Sequence, residues 1–184
     1  MYNNLAELLL FPFTKNEAKH MRLIGIDPGT TYSGLVIWNE ETHKVDASEG
    51  AMPNDELLVW LRTRGWNQWG CNDCETLVVE ALSPRGMNLD RNTFATIALT
   101  GRLQEIGYNS PLDTVLLERD VIKRTLLGRT NLPGADSKLS TLLKDEAGPK
   151  GTKAEPGPCF GVAKHAWQAL AAVWAYRQMQ REAI

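Results

Sequence analysis

The segment IGIDPGTTYSG, from Ile24 to Gly34, decides the fold of this chain. An apolar strand runs from Arg22 to Asp27 and ends in a carboxylate, and Pro28-Gly29-Thr30-Thr31 follows as a turn. A second apolar strand from Gly34 to Trp38 completes a β-hairpin. The pattern therefore predicts a sheet whose first buried strand places an acidic side chain at the edge.

The rest of the chain alternates between strand patterns and helix patterns. We expect a weaker strand at Lys44–Ala47, a helix capped by Asn54 and ending near Arg64, a loop at Gly65–Asp73, a strand at Thr76–Glu80, a helix at Asn92–Ile106, a strand at Asp113–Leu117, helices at Asp120–Leu127 and Ser137–Glu146, a mobile loop at Gly148–Gly161, and a final helix from Val162 to about Glu182. This order predicts an α/β fold with a mixed β-sheet flanked by helices.

Composition places the chain among globular proteins. It has 184 residues, of which 43% are hydrophobic and 23% are charged, as in a domain with one core. No apolar run reaches the roughly 20 residues that a membrane-spanning helix needs, so we expect no membrane partner.

The odd cysteine count implies no disulfide framework and favours a reducing, cytoplasmic location. Residues 1–20 are interpreted as an N-terminal extension or tag remnant before a domain spanning 21–184.

Basic residues are concentrated in one part of the chain. The formal net charge is −2, yet the stretch from Arg119 to Lys153 contains eight basic and four acidic residues. A DNA-binding protein with an acidic balance must segregate its charges in this way. A solvated helical surface has the same pattern, so the charge alone does not decide between these interpretations.

Two predicted strands end in carboxylates, Asp27 and Glu80. Strand ends in open α/β sheets are where functional sites form. A pair of buried carboxylates that converges requires cations, and Mg²⁺ prefers oxygen ligands. The alternative is that each acid only marks the point where its strand leaves the core.

Four segments, in order, resemble the RuvC-like Holliday-junction resolvases, which have a ribonuclease H fold. They are IGIDPGTTYSG at Ile24–Gly34, VVE at Val78–Glu80, VIKRTLLG at Val121–Gly128, and HAWQALA at His165–Ala171. The resemblance extends from about Arg22 to Tyr176, which is nearly the whole chain beyond the extension.

The resemblance implies a metal-dependent endonuclease that cleaves four-way DNA junctions symmetrically as a homodimer. It assigns Asp27, Glu80, His165 and Gln168 as catalytic residues and ligands of Mg²⁺, with Mn²⁺ as a substitute. Lys123 matches a basic residue near the scissile phosphate, and Lys138 falls roughly where the family has a second lysine. Further candidate DNA-binding residues are Arg85, Arg124 and Arg129. The Asn92–Ile106 helix is a candidate dimer interface.

Gln168 departs from the family pattern, which has an aspartate at this position. Two hypotheses follow. Either Asp27, Glu80 and His165 retain activity with a less tightly bound ion, or the protein binds junctions without cutting them. A third alternative is a related ribonuclease H-fold nuclease that acts on RNA or flaps.

Three other motifs allow different interpretations. The segment Gly25 to Ser33 also resembles the phosphate-binding hairpin of actin, Hsp70 and sugar kinases, but the chain is too short for their two domains. Cys71 and Cys74 have the spacing of a zinc knuckle or are ordinary loop thiols. Trp66 and Trp69 either stack on bases or belong to the core.

Overall fold

The computed structural model describes residues 22–83 and 90–183. The N-terminal extension and Arg85 lie outside the described residues. Within them, the elements follow the predicted order: a hairpin and third strand, then helix, strand, helix, strand and three helices. None of the helices within these two ranges is long and apolar enough to cross a membrane.

One mixed sheet of five strands forms the centre of the molecule. The strands are β1 (Arg22–Asp27), β2 (Tyr32–Asn39), β3 (Lys44–Pro53), β4 (Cys74–Ala81) and β5 (Asp113–Glu118). Their spatial order is β3-β2-β1-β4-β5. The first three strands pair antiparallel, whereas β1 with β4 and β4 with β5 pair parallel. Strands β1 and β4 are therefore central and adjacent.

Helices cover both faces of this sheet, which explains why the central strands are apolar throughout. The helices are α1 (Asn54–Arg62), α2 (Arg91–Tyr108), α3 (Arg119–Leu127), α4 (Ala135–Glu146) and α5 (Ala166–Glu182). Alternate strand residues enter two cores. Leu23 and Val78 pack with α3, α4 and α5, whereas Ile24 and Val79 pack with α1 and α2.

Two predicted boundaries were wrong because local backbone geometry overrides the apolar pattern. The final helix begins at Ala166 rather than Val162. Lys164 has a φ of 48°, a left-handed conformation that a continuous helix does not allow. The third strand is also longer than predicted, since the polar segment after Ala47 continues to pair with β2 as far as Pro53.

The region from Asn54 to Cys74 contains further corrections. Asn54 does not cap α1 with its side chain, and that helix ends at Arg62. The predicted loop includes a 3-10 helix at Gly65–Trp69. Cys71 and Cys74 form a disulfide, so both interpretations of this pair, a zinc knuckle and loop thiols, were wrong, as was the expectation of no disulfide. Trp66 is buried against Trp60, which places it in the core rather than on a DNA-binding surface.

Candidate active site

Strand geometry brings Asp27 and Glu80 together on one face of the sheet. Asp27 ends β1 and Glu80 lies near the end of β4, and the parallel register pairs Ile26 with Val79, one residue before each acid. Side chains alternate along a strand, so both acids share the face on which Leu23 and Val78 contact the helices. The sequence prediction that these two carboxylates converge is consistent with this register.

Both carboxylates are buried, and this perturbs their acidity. Asp27 is 7% exposed and Glu80 is 6% exposed. Burial raises the pKa of Glu80 to about 8, with the nearby negative charge of Asp27 contributing in the same direction. Burial also raises the pKa of Asp27, although its hydrogen bond with His165 opposes the shift. A positive charge close to the pair would stabilise the ionised form of both carboxylates.

His165, just before the start of α5, is the residue that contacts Asp27. Its Nδ1 lies 3.0 Å from Oδ2 of Asp27, and its side chain is about half exposed. The imidazole therefore bridges the buried carboxylate and solvent. This contact places the predicted residue His165 in the site.

Two glycines let α5 approach the sheet closely enough for this contact. Gly34 lies opposite Asp27 in the β1–β2 pairing, and a Cβ atom there would overlap the backbone of His165. A Cβ at Gly25 would lie 2.5 Å from the carbonyl oxygen of Ala169. The glycines of the opening sequence segment therefore determine where His165 sits.

The turn after Asp27 is fixed by a residue that sequence analysis had assigned to helix capping. Asn54 Nδ2 donates to the carbonyl oxygen of Gly29 at 3.0 Å, and Ser33 Oγ donates to Asn54 Oδ1 at 2.7 Å. These bonds connect the β1–β2 turn to α1. They hold in place the backbone that follows the buried carboxylate.

Arg119 is a site residue that the sequence analysis missed. Its Nε lies 2.9 Å from Oε1 of Glu80, and its Nη2 lies 3.5 Å from Oδ2 of Asp136. Arg119 directly follows β5, which is parallel to β4. The strand pattern could therefore have predicted its position at the same edge of the sheet. Asp136, in the first turn of α4, carries no comparable sequence signal because an irregular segment precedes it.

A cavity of about 250 Å³ lies at this edge of the sheet, lined by Arg119, Asp136, Lys164, His165 and Gln168. Gln168 therefore shares the cavity with His165, as their spacing of three residues in a helix predicts. Its amide contributes a carbonyl oxygen but no charge. Lys164, also missed by the sequence analysis, adds a cation to the rim.

The candidate DNA-binding residues occupy different environments. Lys123 is mostly buried, and its Nζ lies 3.5 Å from Oδ1 of Asp136, which connects it to the cavity. Arg124, Arg129 and Lys138 are exposed on α3, on the following loop and on α4. No contact places these three residues at the cavity.

The donors at the site suit a hard divalent cation. Asp27 and Glu80 offer carboxylate oxygens, with an imidazole and an amide oxygen nearby, which is a ligand set compatible with Mg²⁺ or Mn²⁺. In the part of the chain that the structure describes, however, no three Asp, Glu, His or Cys side chains are grouped closely enough to hold an ion. Arg119 contacts Oε1 of Glu80. For both oxygens of Glu80 to face a metal ion, the Arg119 side chain would have to move.

Comparisons with known proteins identify the fold. The sequence matches no family model and no curated protein sequence. The structure is similar to Thermus thermophilus RuvC in complex with a Holliday junction substrate, with a TM-score of 0.62 and 15% identity over 89% of this chain and 97% of that chain. A second Thermus thermophilus RuvC structure gives a TM-score of 0.63 and 16% identity over the same shares. The chain therefore has the predicted RuvC-like, ribonuclease H-like α/β fold.

Proposed function

We propose that this RuvC-like chain is a metal-dependent endonuclease that cleaves four-way DNA junctions. The observation that carries the proposal is the pair of buried carboxylates, Asp27 and Glu80, on adjacent parallel strands. His165 contacts the first carboxylate and Arg119 contacts the second. Two buried carboxylates that lie side by side at strand ends are typical of sites that use divalent cations for phosphodiester chemistry.

The residues of the site divide into cation ligands and phosphate-binding groups. Asp27 and Glu80 would hold Mg²⁺, or Mn²⁺ in its place, with His165 and Gln168 completing the ligand set. The ion would activate a water molecule and stabilise charge on the phosphate. Alternatively, His165 would act as a general acid or base instead of a ligand, since its side chain is half exposed.

Positive side chains around the cavity would bind the DNA backbone. Lys123 lies beside Asp136, which lines the cavity, and its ammonium would offset charge on the scissile phosphate. The exposed Arg124, Arg129 and Lys138 would contact neighbouring phosphates. These contacts are electrostatic, so binding should weaken as salt concentration rises.

Branched DNA and a homodimer belong to the same proposal. The structurally similar RuvC of Thermus thermophilus is in complex with a Holliday junction. Symmetric cleavage of such a junction requires two active sites related by a two-fold axis. Helix α2 exposes Phe94 and Ile97, at 57% and 48%, whereas Leu99 and Leu103 of the same helix are buried. The exposed face suits an isologous contact between two chains.

Junction binding without cleavage is the second candidate function. It is favoured by Gln168, which brings no charge to the cavity, and by the ion pair between Arg119 and Glu80. Under this alternative, the basic residues bind the junction while the carboxylates fail to retain a cation.

Cleavage of a labelled synthetic four-way junction, with Mg²⁺ and then Mn²⁺, tests the proposal. Paired symmetric nicks that disappear in Asp27→Asn are the expected result. Tight binding with no nicks would support the binding function instead. Preference for RNA or flap substrates over the junction would contradict both and indicate another nuclease of the same fold.

A further inference from the structure

Arg119 lies between two carboxylates at the centre of the site. Its Nε is 2.9 Å from Oε1 of Glu80, and its Nη2 is 3.5 Å from Oδ2 of Asp136. The two acids differ in environment, since the Glu80 side chain is 6% exposed and the Asp136 side chain is 51% exposed. One guanidinium therefore connects a buried acid to an acid at the surface.

The contact with Glu80 places a cation where a divalent ion would also be attracted. An ionised, buried carboxylate without a positive partner is strongly unfavourable, and Arg119 lies where it can be that partner when Glu80 loses its proton and no ion is bound. Two cations that share one carboxylate repel each other strongly in a poorly solvated site. Binding of a divalent ion at Glu80 should therefore weaken the contact between Glu80 and Arg119.

We propose that Arg119 is a movable cation, which contacts Glu80 in the free protein, leaves it when a divalent cation binds, and then contacts a DNA phosphate. Asp136 would keep the guanidinium near the cavity after it leaves Glu80. This inference deepens the proposed function and rests on it in two respects, the divalent cation and the DNA ligand.

The surroundings of Arg119 permit this movement. Its side chain is 36% exposed, and it borders the cavity shared by His165 and Gln168. A guanidinium that leaves Glu80 therefore enters open space rather than a packed core. Its planar set of donors matches the geometry of phosphate oxygens.

Mn²⁺ binding, followed by electron paramagnetic resonance without DNA, tests the competition. We expect Arg119→Gln to tighten Mn²⁺ binding by about tenfold or more, because the competing charge is removed. Lys123→Gln is the matched control, since it removes an equal charge whose ion pair is with Asp136 and not with Glu80. It should tighten binding much less. Equal effects in the two variants, no effect of Arg119→Gln, or no Mn²⁺ binding by any of the proteins would overturn the inference.

A second measurement uses the wild-type protein and so does not depend on how the variant folds. The nuclear magnetic resonance signal of the Arg119 Nε–H group, assigned by its absence in Arg119→Lys, should shift as Mg²⁺ is added and saturate with Mg²⁺ binding. Addition of junction DNA should then shift it again. A signal that does not respond to saturating Mg²⁺ would show that Arg119 stays on Glu80 and would overturn the inference.

These experiments separate the inference from the proposed function. Absence of junction cleavage would contradict the nuclease, but the competition between Arg119 and Mn²⁺ would still be measured. Conversely, normal cleavage with no competition would overturn only the movement of Arg119.

Discussion

Gln168 is the residue whose chemistry bears most directly on catalysis. It lines the same cavity as His165, so an acid at this position would lie beside the proposed ligands. We expect Gln168→Asp to lower the Mg²⁺ concentration needed for half-maximal junction cleavage by about tenfold, because a carboxylate binds the ion more strongly than an amide. Cleavage measured over a Mg²⁺ titration checks this.

The matched control is Gln180→Asp, which adds the same charge to an exposed position of α5. That variant should leave the Mg²⁺ requirement unchanged. If both variants change it equally, general electrostatic attraction explains the effect and Gln168 has no special position in the site.

Glu80 makes the stability of the metal-free protein depend on pH. Its folded-state pKa is raised from 4.5 to about 8 by burial and by the charge of Asp27. The folded protein thus holds a proton that the unfolded chain releases at lower pH. The stabilisation is fully present below pH 4.5 and is lost as pH rises to about 8, at up to about 1.4 kcal/mol per pH unit.

Thermal unfolding in the presence of a chelator provides the measurement. The melting temperature should fall from about pH 5 to about pH 9, and Glu80→Gln, which stays neutral, should flatten this fall. Glu105→Gln, a substitution of an exposed acid on α2, should leave the slope unchanged. A slope that survives in Glu80→Gln would locate the titrating group elsewhere.

At the scale of elements, the position of α5 depends on the absence of a side chain at Gly34. A Cβ there would overlap the His165 backbone and lie 2.7 Å from the amide nitrogen of Ala166. We expect Gly34→Ala to displace the start of α5, to lower the free energy of unfolding by about 1–3 kcal/mol, and to reduce cleavage because His165 loses Asp27. Chemical denaturation and junction cleavage measure the two effects.

Gly101→Ala is the control for unfolding stability alone, because nothing in the described part of the chain lies within 4 Å of a Cβ at that position of α2, and it is not used for cleavage because Gly101 lies on the face of the proposed dimer contact. An alanine in an exposed helix position should stabilise by up to about 1 kcal/mol. Unchanged stability and cleavage in Gly34→Ala would mean that α5 can repack without loss of the site.

The elements also show which parts of the fold and site the sequence predicts. Apolar strands ending in acids predicted β1, β4 and the convergence of Asp27 with Glu80, because alternation and parallel pairing are local rules. The pattern did not predict β3 beyond Ala47, where pairing with β2 rather than apolar content maintains the strand. The start of α5 was predicted too early for a related reason. The left-handed backbone at Lys164 does not change the spacing of the apolar residues around it.

The site was predicted only where its residues belong to a motif. His165 was found through the segment that it begins, whereas Asp136 reaches the site through tertiary packing of α4. Its partner Arg119 follows a strand whose end was placed at Leu117, two residues short of it. Ion pairs between such distant segments depend on three-dimensional distances that spacing along the chain does not specify.

At the scale of the whole molecule, α2 presents an apolar face to solvent. Phe94 and Ile97 are exposed in the single chain, and with Ala98 and Gly101 they lie at helical spacing on one side. Exposing such a face to water is unfavourable, and an isologous contact with a second copy would remove it from solvent. The same contact would supply the two active sites that symmetric cleavage requires.

We therefore expect the protein to be a dimer and Phe94→Glu to weaken dimerisation by at least about tenfold, because it places a charge in the apolar contact. Sedimentation velocity over a range of protein concentrations measures this. Val59→Glu is the matched control, since Val59 is 59% exposed on α1 and lies outside the proposed interface. A monomeric wild-type protein, or equal dissociation by both variants, would contradict the α2 interface. In that case, paired cuts in a junction would require two monomers that assemble only when both are bound to the DNA.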